Sequence, residues 1–67
     1  MYEIHLPDQP VLPIIDPRTA LSAVLVRLKM TKRLDATSRS SLLERLQIQG
    51  SLSLNNELET VEIVRCD

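Results

Sequence analysis

The side chains able to do chemistry are few, and their spacing decides what they can do. His5 is the only histidine and Cys66 the only cysteine in 67 residues. They stand at opposite ends of the chain. A nucleophile–base pair would need Cys66 or a serine to meet His5 across the fold, and no spacing arranges that. One histidine and one cysteine also fall short of the ligand set of a His/Cys zinc site. An internal disulfide needs a second cysteine, and a position one residue from the end suits a frayed thiol better than a nucleophile. With Gly50 as the single glycine, no glycine-rich phosphate loop can form. Glu57, Glu59 and Glu62 are the closely spaced carboxylates, and Glu57 and Glu59 share a strand face as solvent-side or edge-protecting charges. These residues point away from an enzyme. No catalytic residue, metal, cofactor or small-molecule substrate is expected.

Binding is what remains, and charge shows where it can occur. Residues 1–16 carry Glu3, Asp8 and Asp16 with no cation. Residues 17–49 carry Arg18, Arg27, Lys29, Lys32, Arg33, Arg39 and Arg45 against Asp35 and Glu44. Residues 50–67 return to acid, with Glu57, Glu59, Glu62 and Asp67 against Arg65. The net charge of −1 therefore conceals a basic centre between acidic ends. Such a layout admits three readings: neutralisation within one chain, pairing between copies, or a basic surface for nucleic acid or an acidic protein.

Composition narrows the partner. The chain is 43% apolar, which is globular, yet it has no Trp, no Phe and only Tyr2. The core must be Leu, Ile and Val. Base stacking on aromatic rings and aromatic-lined pockets are nearly excluded. No basic and apolar leader follows Met1 and no apolar run approaches membrane-spanning length, so no membrane role is expected and a cytoplasmic setting is the default, in a cell or in an infected host. A single domain this short hides only about 60% of the surface its unfolded chain exposes. Oligomerisation is a common remedy, and a homodimer its commonest form.

These residues must be positioned by a small α+β domain spanning 1–67. Residues 2–6 alternate, Tyr2, Ile4 and Leu6 against Glu3 and His5, which predicts a half-buried strand. Pro7, Pro10, Pro13 and Pro17 make 7–16 an extended arm, and its two Pro-x-x-Pro spacings lack the flanking cation of a proline-groove ligand. Val11, Leu12, Ile14 and Ile15 suggest that the arm lies against the body or against a second subunit. Asp16-Pro17 is a helix start, as N-cap and first helical residue, and the helix is expected over 17–33. Leu21, Val24, Leu25 and Leu28 make one apolar stripe, while Ala23, Val26 and Met30 lie opposite as a candidate dimer seam. Arg27, Lys29, Lys32 and Arg33 gather toward its C-terminal half, where the helix dipole favours cations.

A second helix fits 36–49, capped by Asp35 or Thr37 or, if it starts late, by a Ser41–Glu44 box; Leu42, Leu43 and Leu46 form its buried stripe and Gly50 its left-handed stop. Residues 51–54 and 58–64 read as a hairpin. A three-residue loop sets Leu54 opposite Leu58, a four-residue loop Leu52 opposite Val61; a two-residue turn at Asn55-Asn56 would match leucines with glutamates. The expected order is β-α-α-β-β, with the proline-rich arm after the first strand.

Two segments resemble the ribbon-helix-helix DNA-binding family. One is Ile4-His5-Leu6-Pro7-Asp8, a strand ending in Leu-Pro-Asp. The other is Thr37-Ser38-Arg39-Ser40-Ser41-Leu42-Leu43-Glu44-Arg45-Leu46, similar to the start of that family's second helix. The resemblance implies a dimer whose first strands pair and enter the major groove, with Glu3 and His5 facing the bases and Ser38 and Arg39 meeting phosphate. The chain departs from the family in the proline-rich arm, in an acidic groove-facing Glu3 and in the C-terminal hairpin. The leading expectation is a small regulatory protein that binds an unidentified protein partner and itself as a homodimer. The alternative is a dimeric DNA-binding regulator, with Arg27, Lys29, Lys32, Arg33, Ser38, Arg39 and Arg45 as contacts.

Overall fold

In the computed structural model, which describes residues 1–66, alternating apolar residues build one buried sheet face. Asp67 lies outside the described residues. The chain order is β1 (Tyr2–His5), β2 (Leu12–Ile14), α1 (Pro17–Arg27), α2 (Ala36–Gln49), β3 (Ser51–Asn55) and β4 (Thr60–Arg65). The four strands form one antiparallel sheet in the order β2-β1-β4-β3. Tyr2, Ile4, Leu52, Leu54, Val61 and Ile63 point to one face, where Ala20, Leu21, Val24, Leu25, Leu28 and Leu46 of the helical layer cover them. Glu3, His5, Ser51, Ser53 and Glu62 alternate to the opposite face. The expected α+β single domain is what forms.

The prolines argue against a helix or a central strand in the arm, and the arm forms neither; it does contain a short edge strand missing from the expected order. Asp8 adopts a left-handed backbone (φ 60°), and the chain doubles back so that Leu12, Pro13 and Ile14 pair with Ile4, Glu3 and Tyr2. The order is therefore β-β-α-α-β-β. Proline is tolerated here because of register. Arg65 N–H donates to Gly50 and Cys66 N–H to Met1, which sets the alternation across the sheet. By that alternation Glu3 bonds toward β4, so Pro13 opposite it sits at a non-bonded pair where its missing N–H would have faced outward. The Cys66 bond to Met1 also ties down a residue expected to fray, and its side chain is half-buried.

Helix α1 starts as expected, with the Asp16 carboxylate accepting from Thr19 N–H at 3.0 Å, but it stops six residues early. Lys29 takes φ 58°; its N–H donates to Val26 and that of Met30 to Leu25. This is a Schellman stop with lysine where glycine is usual, so no glycine or proline announces it. Lys29, Lys32 and Arg33 consequently lie on the α1–α2 connection and not on a helix. Met30 turns back onto the core.

Helix α2 has the expected bounds, capped by Asp35, whose carboxylate accepts from Ser38 N–H at 2.7 Å, and closed by Gly50 at φ 78°. The hairpin adopts neither expected register. Leu54 faces Val61 and Asn55 faces Thr60, with residues 56–59 between the strands. The Asn56 side chain sets this turn: its Oδ1 accepts from Leu58 and Glu59 N–H, and its Nδ2 donates to Leu28 of the helical layer.

Candidate functional site

Folding turns the linear charge pattern into layers. The basic centre becomes the two helices and their connection, and the acidic ends become the sheet. Neutralisation within the chain joins these layers at Arg27, whose Nε lies 2.8 Å from Glu59 Oε1 and whose Nη2 donates to Oε2 at 3.0 Å. Among the described residues, Arg18, Lys29, Lys32, Arg33, Arg39 and Arg45 form no ion pair and are exposed. The helical layer thus carries most of its positive charge unopposed.

Two of these cations flank a groove of about 430 Å³ between the helices. Each helix lines it with residues at i, i+3, i+4 and i+7: Arg18, Leu21, Ser22 and Leu25 from α1, and Ala36, Arg39, Ser40 and Leu43 from α2. That spacing places all four on one helical stripe. Leu21 and Leu25 are buried and Leu43 half-buried, giving an apolar floor between hydroxyl and guanidinium walls.

Both arginines lie in the first turn of a helix, beside the capping aspartate. Asp16 is held below the usual 3.8 by the Thr19 hydroxyl and N–H, with Arg18 a minor contributor. Asp35 is held below 3.8 mainly by Ser38, with Arg39 again minor. Each carboxylate is engaged by its own helix terminus, and neither guanidinium forms an ion pair with it. The guanidinium donors remain available to a ligand.

The expected seam residues divide. Ile14 and Met30 pack half-buried against the chain's own core. Leu12 and Ala23 meet Ile4, Leu6 and Val24 around a second, apolar cleft of about 270 Å³. Val11, Ile15 and Val26 stay in solvent at 43%, 81% and 65% exposure. Of the second α1 stripe, Ala23, Val26 and Met30, Val26 is the member left fully in solvent among the described residues.

The residues singled out by the ribbon-helix-helix resemblance lie on three different parts of the fold. Both edges of β1 are paired within the chain, to β2 and to β4, so neither is open to a second β1. Glu3 and His5 share the open sheet face, His5 Nε2 lying 3.3 Å from Glu3 Oε1. The Ser38 N–H, expected at phosphate, already serves Asp35. A phosphate there would face an ionised carboxylate. Arg39 lines the interhelical groove instead.

Arg18 and the groove leucines were not among the expected contacts: each i, i+3, i+4, i+7 spacing is present in the sequence, but which two stripes face each other is set by the fold. Among the described residues no group of three His, Cys, Asp or Glu side chains is placed to hold a metal ion, and no helix is long and apolar enough to cross a membrane. Comparison with protein-family models, with curated proteins and with solved structures gives no match.

Proposed function

We propose that this chain is a non-enzymatic regulatory interaction protein that takes an acidic, amphipathic segment of a partner protein between α1 and α2. The observation that carries this reading is the groove itself: a leucine floor between Arg18 and Arg39, neither of them paired with a carboxylate among the described residues. Apolar side chains of the partner bury against Leu21, Leu25 and Leu43, each contributing roughly 1.5–3 kcal/mol if fully buried. Its carboxylates accept charge-assisted hydrogen bonds from the guanidinium groups, which set orientation and speed encounter. A floor of this kind favours a peptide over a nucleic acid backbone, which offers no apolar ridge to fill it. Interfaces of this small size support transient complexes.

The test is an amide chemical-shift titration with a helical peptide carrying Leu at i, i+3, i+4 and i+7 and Glu elsewhere. Shifts are expected at Leu21, Ser22, Ser40 and Leu43, and should vanish in Arg18→Glu/Arg39→Glu and with a Lys-for-Glu peptide. Shifts confined to Lys29, Lys32 and Arg33 on adding duplex DNA at low salt, with none from the peptide, overturn the reading in favour of nucleic acid.

A further inference from the structure

The sheet has two edges, and they differ in kind. On β2 the outward position opposite Glu3 is Pro13, which has no N–H to offer. On β3, Arg65 bonds back to Gly50, and by alternation Leu52 and Leu54 direct their backbone groups to β4. Ser51, Ser53 and Asn55 therefore direct their N–H and C=O groups away from the sheet. This edge is five residues long and carries no proline, no lysine and no interrupted pairing. None of the usual protections of an edge strand is present.

The geometry points to a second copy of this chain pairing antiparallel along β3, about a two-fold axis at Ser53, to give one continuous eight-stranded sheet. This inference goes beyond the peptide groove and uses a different surface. In this register Ser53 meets Ser53 of the second copy and exchanges both backbone bonds with it, while Ser51 and Asn55 exchange theirs reciprocally. Leu52 of each copy comes opposite Leu54 of the other, so the apolar face runs across the junction with its alternation intact.

Helix α2 packs on this strand, and its flank away from α1 is self-complementary too. Ser53 lies three residues beyond Gly50, about 10 Å along the strand. An equal distance back along α2 is about seven residues, so Glu44 and Arg45 lie within one turn of that level. Both are exposed, and among the described residues neither is in an ion pair. A two-fold at that level brings Glu44 of each copy toward Arg45 of the other. The same flank holds Ile48, 71% exposed, beside a shallow depression of about 310 Å³ lined by Ser41, Glu44, Arg45 and Gln49. Pairing withdraws Ile48 from water and offsets the small core of a 67-residue chain.

Sedimentation equilibrium and amide exchange test the proposal on the full chain. The expected result is a dimer at micromolar concentration, with Ser51, Ser53 and Asn55 amides protected to the same degree as those of Leu52 and Leu54. Ser53→Pro removes a donor not used within the chain, and should raise the dissociation constant at least tenfold while circular dichroism stays native. Arg45→Glu should weaken pairing in the same direction, and Glu44→Arg/Arg45→Glu should restore it, which a folding defect would not do. A wild-type monomer overturns the proposal and leaves the edge to a strand of another protein. A dimer with fast-exchanging Ser53, or one indifferent to both Ser53→Pro and Arg45→Glu, also overturns it and moves the contact to the exposed face of α1.

Discussion

The guanidinium of Arg27 holds the carboxylate of Glu59 with two parallel contacts, Nε to Oε1 at 2.8 Å and Nη2 to Oε2 at 3.0 Å. It fastens the last turn of α1 to the β3–β4 connection, 32 residues away in sequence. The side chains are 33% and 20% exposed, so solvent screens the pair only in part. A double-mutant cycle with Arg27→Ala and Glu59→Ala should give a coupling of about 1 kcal/mol in urea unfolding, the upper end for a partly exposed pair. Arg27→Lys should keep less than half of it, because an ammonium cannot reproduce the two-pronged contact. Peptide binding in the groove should be unchanged in Arg27→Ala, since this cation is already neutralised.

The two helix caps predict an acid limb. Asp16 and Asp35 both have folded values below 3.8, through hydrogen bonds from Thr19 and Ser38 that exist only in the folded chain. A lowered carboxylate value contributes stability that is present above 3.8 and is lost as pH falls through the folded value. Thermal unfolding of the wild-type chain should therefore fall away below 3.8, at the caps' expense. Asp16→Asn/Asp35→Asn keeps capping oxygens but removes the titration, and its melting temperature should depend less on pH between 5 and 2 (~3 units of pH spanning the unfolded carboxylate range). An acid limb as steep as wild type would contradict this account.

Two left-handed residues predict opposite responses to glycine. Lys29 occupies φ 58° without the freedom of glycine, so Lys29→Gly should stabilise by about 1 kcal/mol, or about 5 °C in melting temperature. Gly50→Ala should destabilise by at least about 1 kcal/mol, since φ is 78° there and the new Cβ would lie 3.4 Å from Arg65 Nη2. Thermal melts of the two variants check both signs.

Leu46 is the core residue of α2, at 0% exposure. Leu46→Ala should cost about 3 kcal/mol, a large share of what so small a domain holds, and lower the urea midpoint with the slope unchanged. Ile48→Ala, one turn-face away and 71% exposed, should leave the monomer within about 0.5 kcal/mol of wild type.

Local signals located most of the elements. Asp16-Pro17, Asp35 and Gly50 mark three helix ends with side chains whose chemistry works within one turn. The fourth helix end was hidden because Lys29 is an ordinary helix former, and only the packing of Leu28 and Met30 on the core rewards the left-handed turn. The strand at Leu12–Ile14 was hidden for a related reason. Whether a proline fits depends on which partner lies beside it and at which alternation, and that is a property of the assembled sheet. The hairpin register turned on Asn56, whose side chain caps Leu58 and Glu59 N–H and reaches Leu28 across the fold.

At the candidate site, Arg39 was read from charge alone. Arg18 and the leucines between the arginines emerge only when two separate stripes face each other. That β3 is an edge follows from strand order, which spacing does not encode.

The proline opposite Glu3 has a stoichiometric consequence. A sheet receptive at both margins has a valence of two and can polymerise into fibrils. With the β2 margin inert, pairing along β3 as proposed would leave each chain a valence of one, and growth would halt once two β3 margins met. In that assembly Pro13 would act as a chain terminator.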